Sequence, residues 1–336
     1  MPKNNDLKEL LNKSMAINVI LGVAVVMLVL LLYYQSSVHP TTTTNVIIKS
    51  GNTTTISNAI SNQSGGTLAG IDQPLNASQL AVINSAPLSY YETAGQRLLN
   101  GSLSDEVLAS NSYYLQYNSL IINGKPSVVY LGAITCVFCG ENRWAMALAL
   151  AKFGNFSALY TGYSALGDQD VPTLYWIPVN YTVNGGIAFG NMYQSNLINF
   201  YSAEYETPIT GGFVPPTSVK QFVTTAPNAN YKAAYQLLNS TGKYQGTPFT
   251  FWGTSLVQGA DAVVFGNTTP QTTPLPLTEM THAQVINQLS SFNDQFAWGE
   301  YAGADVYIAA VCPTINFNAP VCKLPAIQQI ANVIGA

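Results

Sequence analysis

The chain has 336 residues and a formal net charge of −4, with 48% hydrophobic and only 8% charged side chains. That is about a third of the charge of an ordinary soluble domain, and Ser, Thr, Asn, Gln and 20 Tyr stand where Lys and Glu normally would. The apolar content excludes a wholly disordered or fibrous chain. Nine cations after residue 34, with no Lys/Arg run, exclude a phosphate-tracking surface and nucleic acid as a partner.

After a short segment, 1–14, the first element is Met15 to Tyr34, twenty residues without a charged side chain. A helix of that length spans about 30 Å, one hydrocarbon core. Its exit, Tyr33-Tyr34-Gln35, has the aromatic character of a membrane interface rather than the small residues of a cleavage site, which favours an uncleaved anchor over a removed signal. Lys3, Lys8 and Lys13 precede the span, and no Lys or Arg follows until Lys49. The positive-inside bias therefore puts 1–14 in the cytoplasm and the bulk of the chain outside, and no later run is long enough for a second crossing. Residues 35–86 are rich in Thr, Ser, Asn and Gly and offer little apolar area against the entropy of ordering. They read as a stalk, with room for a small strand at Val46 to Ile48. Asn-x-Ser/Thr acceptors at Asn52, Asn62, Asn76, Asn100, Asn155, Asn180, Asn239 and Asn267 permit glycans on an exported surface, although a chain of this composition yields several such triplets by chance.

Residues 87–336 carry the patterning of a folded α/β domain. Ser127 to Thr135 is a continuous apolar run after the turn Asn123-Gly124-Lys125-Pro126, as expected for a strand covered on both faces. It leads to Cys136-Val137-Phe138-Cys139 and then to Glu141–Lys152, a run of helix formers closed by Gly154. Phe156 to Tyr163 reads as a further strand, so the whole is the entrance of a βαβ unit. Beyond it lie a Tyr-rich run from Phe189 to Tyr205, a helical pattern from Ser218 to Leu238 broken near Pro227, and an amphipathic helix from Thr278 to Phe296.

The first cysteine of a CxxC at a helix start meets unsatisfied backbone N–H groups and the positive end of the helix dipole, which favour a thiolate. Cys136 is the expected attacking sulfur. Cys139, one turn on, is the sulfur expected to resolve a mixed disulfide. Arg143 either adds positive potential there or, the simpler reading, is solvated or paired with a carboxylate. Glu141 is more simply a helix-start residue than a proton shuttle, and Trp144 a core residue.

The stretch Leu131-Gly132-Ala133-Ile134-Thr135-Cys136-Val137-Phe138-Cys139-Gly140-Glu141-Asn142-Arg143-Trp144, with Lys152-Phe153-Gly154-Asn155-Phe156 following, resembles an archaeal membrane-anchored family known only as a domain of unknown function, whose core is similar to thioredoxin-like folds. The resemblance covers about 87–325. It implies a thioredoxin-like domain and, at superfamily level, thiol–disulfide exchange. It also implies a cis proline facing the CxxC, with the preceding residue offering its backbone to an extended substrate. Thr247 and Pro248, within Gly246-Thr247-Pro248-Phe249-Thr250-Phe251-Trp252-Gly253, are preferred for these substrate-binding roles over Val171-Pro172-Thr173-Leu174. Pro248 requires a large insertion after the CxxC helix, expected at about 164–245. This sequence departs from the better-known members in carrying Val137 and Phe138 between its cysteines, and in having no Asp or Glu on the strand before Cys136 to accept a proton.

Cys312 and Cys322 flank Pro313 and Pro320 near the C-terminus. In an exported domain they read as a structural disulfide, closing a loop of about eleven residues and stabilising by roughly 2–3 kcal/mol. A dithiol relay to Cys136–Cys139 and a four-sulfur zinc site are the alternatives, and metal is not expected. His39 and His282 are the only histidines, and His282 on its amphipathic helix has an ordinary surface or capping role. Without a Gly-x-Ser-x-Gly, a phosphate loop or a dinucleotide fingerprint, hydrolase and nucleotide functions drop out, and no cofactor is expected. The low charge also suggests an acidic exterior. The expected function is therefore a membrane-anchored oxidoreductase exchanging disulfides with exported polypeptides. Its rival is a non-catalytic binding module among envelope proteins, with the CxxC held as a permanent disulfide.

Overall fold

The computed structural model describes residues 46–50, 53–57, 72–101, 114–116, 119–134, 136–164, 170–178, 187–205, 223–240, 248–253, 255–258, 277 and 280–336. The expected anchor at 15–34 and Thr247 lie outside these residues. Among the described residues no helix is long and apolar enough to cross a membrane. Two compact units divide the chain, Met1–Asn62 and Gln63–Ala336. In the first, β1 (Val46–Ser50) and β2 (Thr53–Ser57) pair as an antiparallel hairpin built from β-branched Val, Ile and Thr.

The second unit opens with α1 (Ala77–Asn84) and α2 (Leu88–Leu99). Composition assigned residues 72–86 to the stalk, but they are packed into this unit. Asn76 and Gln79 form a capping box at the start of α1, and Leu75, Ile83 and Ala86 are buried in the helical core. Three apolar anchors within a polar stretch are too sparse for composition to register.

Strands β3 (Tyr114–Gln116), β4 (Ile121–Ile122) and β5 (Lys125–Ala133) follow. Asn123 and Gly124 both have positive φ, 51° and 76°, and make the tight β4–β5 turn that an Asn-Gly pair favours. Then come α3 (Val137–Leu150), β6 (Asn155–Phe156), β7 (Tyr160–Ser164), β8 (Val171–Tyr175), β9 (Ile187–Phe189), β10 (Tyr193–Gln194) and β11 (Asn199–Tyr205). The chain closes with α4 (Ala229–Ser240), β12 (Phe249–Trp252), β13 (Ser255–Gln258), α5 (His282–Ser291), α6 (Gln295–Val311) and α7 (Pro325–Ile334).

The main sheet has seven strands in the order β3-β13-β12-β5-β11-β9, with β4 paired to β5. β11 runs parallel to β5 and β12 antiparallel to it, so β5 is central. Alternate residues of β5 enter two cores. Val128 and Tyr130 join the helical layer of α2, α3, α6 and α7, while Val129, Leu131 and Ala133 pack with Ala234 and Tyr235 of α4. Burial on both faces is why this strand reads as one apolar run rather than an alternation. α6 is buried nearly all round and forms the centre of the helical layer.

The insertion expected at about 164–245 is not one separate body. β11 lies inside that range and is paired with β5 along its whole length, and α4 covers the same sheet. The segment interposed between α3 and β11 holds two small antiparallel ladders, β6 with β10 and β7 with β8, together with the edge strand β9. The Tyr-rich composition of β11 hid a central role, because Phe200 faces one core while Tyr201 and Ala203 face the other.

Candidate functional site at the start of the CxxC helix

Helix α3 begins at Val137, four residues before the expected start, because Cys136 itself is the N-cap, with extended backbone at φ −75° and ψ 119°. Its sulfur takes the place a Ser or Thr hydroxyl usually fills and accepts the Cys139 N–H at 3.3 Å. The Cys136 N–H donates to the Ala133 carbonyl at 3.2 Å. Cys136 is half-buried, as are Val137 and Phe138, whereas Cys139 is sealed. The buried sulfur accepts the Ala133 N–H at 3.5 Å. Ala133, the last residue of β5, therefore touches both cysteines, one through each of its backbone groups.

The two sulfurs form a dithiol rather than a disulfide. Burial pushes the Cys139 thiol well up, and its hydrogen bond with Cys136 and the charge there add to the effect; Arg143 acts against it and Glu204 with it. The helix N-terminus offers its partial positive charge at Cys136, on the accessible side.

Arg143 is not solvated. It is fully buried and forks onto Glu204 of β11, Nε to Oε1 at 2.7 Å and Nη2 to Oε2 at 2.8 Å. Nη1 donates to Ser164 Oγ and Thr173 Oγ1, each at 3.3 Å, and Nη2 also donates to the Ala133 carbonyl at 3.1 Å. All the donors of the guanidinium are thereby used. It lies 5.8 Å from the ring centre of Tyr130 and 5.7 Å from that of Tyr175. Burial opposes its charge most strongly, but Glu204, with Tyr130 and Cys139 adding to it, reverses the balance and holds the guanidinium well above its ordinary pKa. The absence of an acid on β5 led sequence reasoning to miss Glu204, which the neighbouring strand supplies beside Gly132. The available signal was one carboxylate in the otherwise uncharged run Asn199–Tyr205, in a chain with few charges to spare.

The β7–β8 hairpin lies across the first turn of α3. Thr173 Oγ1 donates to the Gly140 carbonyl at 2.6 Å, and a Cβ at Gly140 would come within 2.7 Å of Ser164 Oγ. His282 fixes the hairpin from the other side, its Nε2 lying 2.7 Å from the Gly162 carbonyl and 3.0 Å from that of Thr173. A ring nitrogen between two carbonyls is a donor, so this tautomer is set by its surroundings. His282 is thus a clip between α5 and two strands, in place of the surface or capping role expected; the cap of α5 is Thr281. Glu141 sits in the second turn of α3 and is fully buried, which removes the helix-start role expected of it. Trp144 is core, and its Nε1 donates to the Pro172 carbonyl at 3.0 Å.

Pro248 is buried directly before β12, whose Phe249 is paired with Leu131, so it lies at the end of the sheet from which the CxxC departs. Pro172 belongs to β8, which among the described residues pairs only with β7. Cys312 and Cys322 form a disulfide with Cα atoms 5.5 Å apart, and both are fully buried. Their bonding to each other is incompatible with a zinc site built from all four sulfurs.

The model of the family described as a domain of unknown function (DUF929) matches residues 111–313, well over half of the chain. The chain belongs to that family. No curated protein and no solved structure matches it.

Proposed function

We propose that this member of the DUF929 family is a membrane-anchored, extracytoplasmic thiol–disulfide oxidoreductase with a thioredoxin-like core, acting on exported polypeptides. The observation that carries the reading is the pairing of a half-buried Cys136 sulfur at a helix N-terminus with a sealed Cys139 thiol one turn away. Accessible and electrophile-facing belongs to the nucleophile; buried and protonated belongs to the resolving partner. The thioredoxin-like reading is supported by the path β5–α3–β11–α4–β12–β13, a parallel βαβ unit followed by a helix and an antiparallel hairpin, with β5 between β11 and β12. The position of Pro248 at the CxxC end of the sheet supports its role, and that of Thr247 before it, in holding a substrate strand. The anchor rests on the twenty uncharged residues at 15–34 and the lysines before them.

The chemistry balances within one turnover. The Cys136 thiolate attacks a substrate disulfide, forming a mixed disulfide and releasing one substrate sulfur, which takes up a proton. Cys139 then gives up its proton and attacks Cys136 Sγ; the Cys136–Cys139 bond forms and the second substrate thiol leaves. The substrate disulfide gains two electrons and two protons, and the dithiol loses them. The reverse sequence oxidises a substrate dithiol.

The test is trapping in the full-length chain. Cys139→Ser, reacted with disulfide-bonded exported polypeptides, is expected to accumulate a mixed disulfide visible on a non-reducing gel, and Cys136→Ser to accumulate none. No adduct with either variant, and no measurable redox equilibrium of the parent with glutathione, would remove the enzymatic reading and leave a non-catalytic envelope module.

A further inference from the structure

Beneath the dithiol lies a buried ion pair to which the exchange chemistry just described assigns no part. Arg143 projects from α3 one turn after Cys139, and Glu204 from β11 meets it with both oxygens. A planar fork on a carboxylate is the geometry of a strong, oriented pair, and neither group reaches solvent. The guanidinium also bonds the hairpin, through Ser164 and Thr173, and the Ala133 carbonyl. That carbonyl accepts the Cys136 N–H, and the N–H of the same residue donates to Cys139 Sγ. One cation thus ties together the strand end, both cysteines, the neighbouring strand and the covering hairpin.

We propose that Arg143 and Glu204 act as one device under the CxxC: Arg143 is a positioning residue that fixes Ala133 against the backbone of Cys136 and the sulfur of Cys139, and Glu204 cancels its field at Cys139. The charge balance follows from the geometry. A buried guanidinium alone, so close to a sulfur, would draw it toward the thiolate; a carboxylate bound to both arms of that guanidinium removes most of the attraction. The groups that face Cys139 electrostatically are Cys136, Arg143 and Glu204, and Tyr130 interacts with the same set. Tyr130 is itself held neutral, chiefly by burial. Among these groups Arg143 is the sole cation, and Glu204 is the carboxylate bound to it. Cys139 then rests as a thiol until Cys136 has reacted, which keeps the sealed sulfur from competing for the incoming disulfide.

The inference gives the proposed exchange site its resting state, but its test does not depend on exchange. In full-length Cys136→Ser, thiolate formation at Cys139 is followed by the Cβ carbon shift of 13C-labelled cysteine in NMR spectra across a pH series, a readout that requires no reagent to reach the sulfur and that the many tyrosines do not mask. Adding Glu204→Gln is expected to lower the titration midpoint by about one pH unit or more, since an uncompensated cation remains. Replacing both partners, Arg143→Met with Glu204→Leu, is expected to return the midpoint to that of the Cys136→Ser parent. An unchanged midpoint with Glu204→Gln overturns the proposal. A midpoint lowered equally in the double replacement also overturns it, because loosened packing and not charge would then be the cause. If circular dichroism finds Glu204→Gln unfolded, Glu204→Asp, which withdraws the carboxylate by one methylene, is expected to shift the midpoint in the same direction by less, and no shift overturns the proposal. Failure of Cys139→Ser to trap a substrate would sink the exchange reading while leaving this titration intact.

Discussion

Asp305 gives the most direct handle on how this chain responds to acidity. It lies on α6 and is fully buried, facing Gly95 of α2 and Ala326 of α7. Gly95 is required by that approach: a Cβ there would come within 2.7 Å of the Ala326 Cβ and 3.0 Å of Asp305 Oδ2. Burial pushes the Asp305 carboxyl well up, the nearby Glu92 pushes it further, and the Gly95 backbone N–H pulls modestly the other way. Glu92 is itself occupied, Oε2 accepting the Ala326 N–H at 3.1 Å and Oε1 accepting from Gln96 at 3.0 Å.

Because the folded carboxyl titrates above the unfolded one, between the two values the folded chain holds a proton that the unfolded chain has lost. Stability is then fully present below the ordinary carboxylate range near pH 4 and is lost as pH rises toward the folded value. One group held this way contributes a slope of about 1.4 kcal/mol per pH unit within that window. For a fold of this size that is roughly 3–6 °C of Tm per unit. Asp305→Asn removes the titrating group while keeping the shape, at a constant cost of about 1–3 kcal/mol for a buried amide that lacks ideal partners. His282 acts in the opposite sense: burial lowers it, its backbone bonds only partly offset that, and its contribution is lost on acidification. The informative quantity is therefore the difference between the two Tm–pH curves, from thermal unfolding followed by circular dichroism. The wild type is expected to lose Tm faster than Asp305→Asn as pH rises above about 4. Parallel curves would refute the reasoning, since they would mean that Asp305 is as ionised in the folded chain as in the unfolded one.

Replacing Cys312 and Cys322 by Ser, which opens a link between residues ten apart, is expected to cost roughly 2–3 kcal/mol in denaturant unfolding while leaving trapping at Cys136 intact. Gly132→Ala is expected to destabilise by at least about 1–3 kcal/mol, because the new Cβ falls within the ring and hydroxyl of Tyr130; Tyr130→Ala in the same chain should recover part of the loss. His282→Ala removes the clip on the Gly162 and Thr173 carbonyls, so backbone amides of β7 and β8 are expected to exchange faster with solvent while those of α3 keep their protection.

Local signals made the centre of this fold readable. A continuous apolar strand, an Asn-Gly turn before it and a CxxC running into a helix are short-range patterns, and β5 and α3 follow from them, although α3 begins four residues earlier than expected, with Cys136 as its N-cap. What the sequence concealed depends on pairing between distant segments. Glu204, 61 residues from Arg143 in sequence, becomes its partner only because β11 lies parallel to β5, and nothing in the composition of an aromatic strand marks it as central. Ser164 and Thr173 look like ordinary strand residues until the hairpin folds over Gly140. His282 sits at the first turn of an amphipathic helix, where a surface role is the default, and its two carbonyl partners come from strands more than a hundred residues earlier. A strand that runs through a CxxC into a helix is local and legible; a buried charge network assembled from four segments is not.

The scarcity of charge acquires a second meaning once the interior is considered. Among the described residues Glu141, Glu204, Glu300, Asp305 and Arg143 are all buried, so a noticeable part of a small set of charged residues is spent inside the protein. Arg143 is committed to Glu204, and Asp305 is stabilised by remaining protonated. This core favours low pH. Thiol exchange favours the opposite, since each unit of acidification below a thiol's pKa removes about tenfold of its thiolate. The two demands are reconciled in space: the acid-favouring carboxyl sits where α2, α6 and α7 meet, while the sulfur that must ionise stands at a helix N-terminus, where backbone N–H groups stabilise negative charge without any titrating partner. A histidine or lysine beside Cys136 would supply the same stabilisation through a charge of its own and would have to remain buried or screened. The helix end supplies it from the backbone.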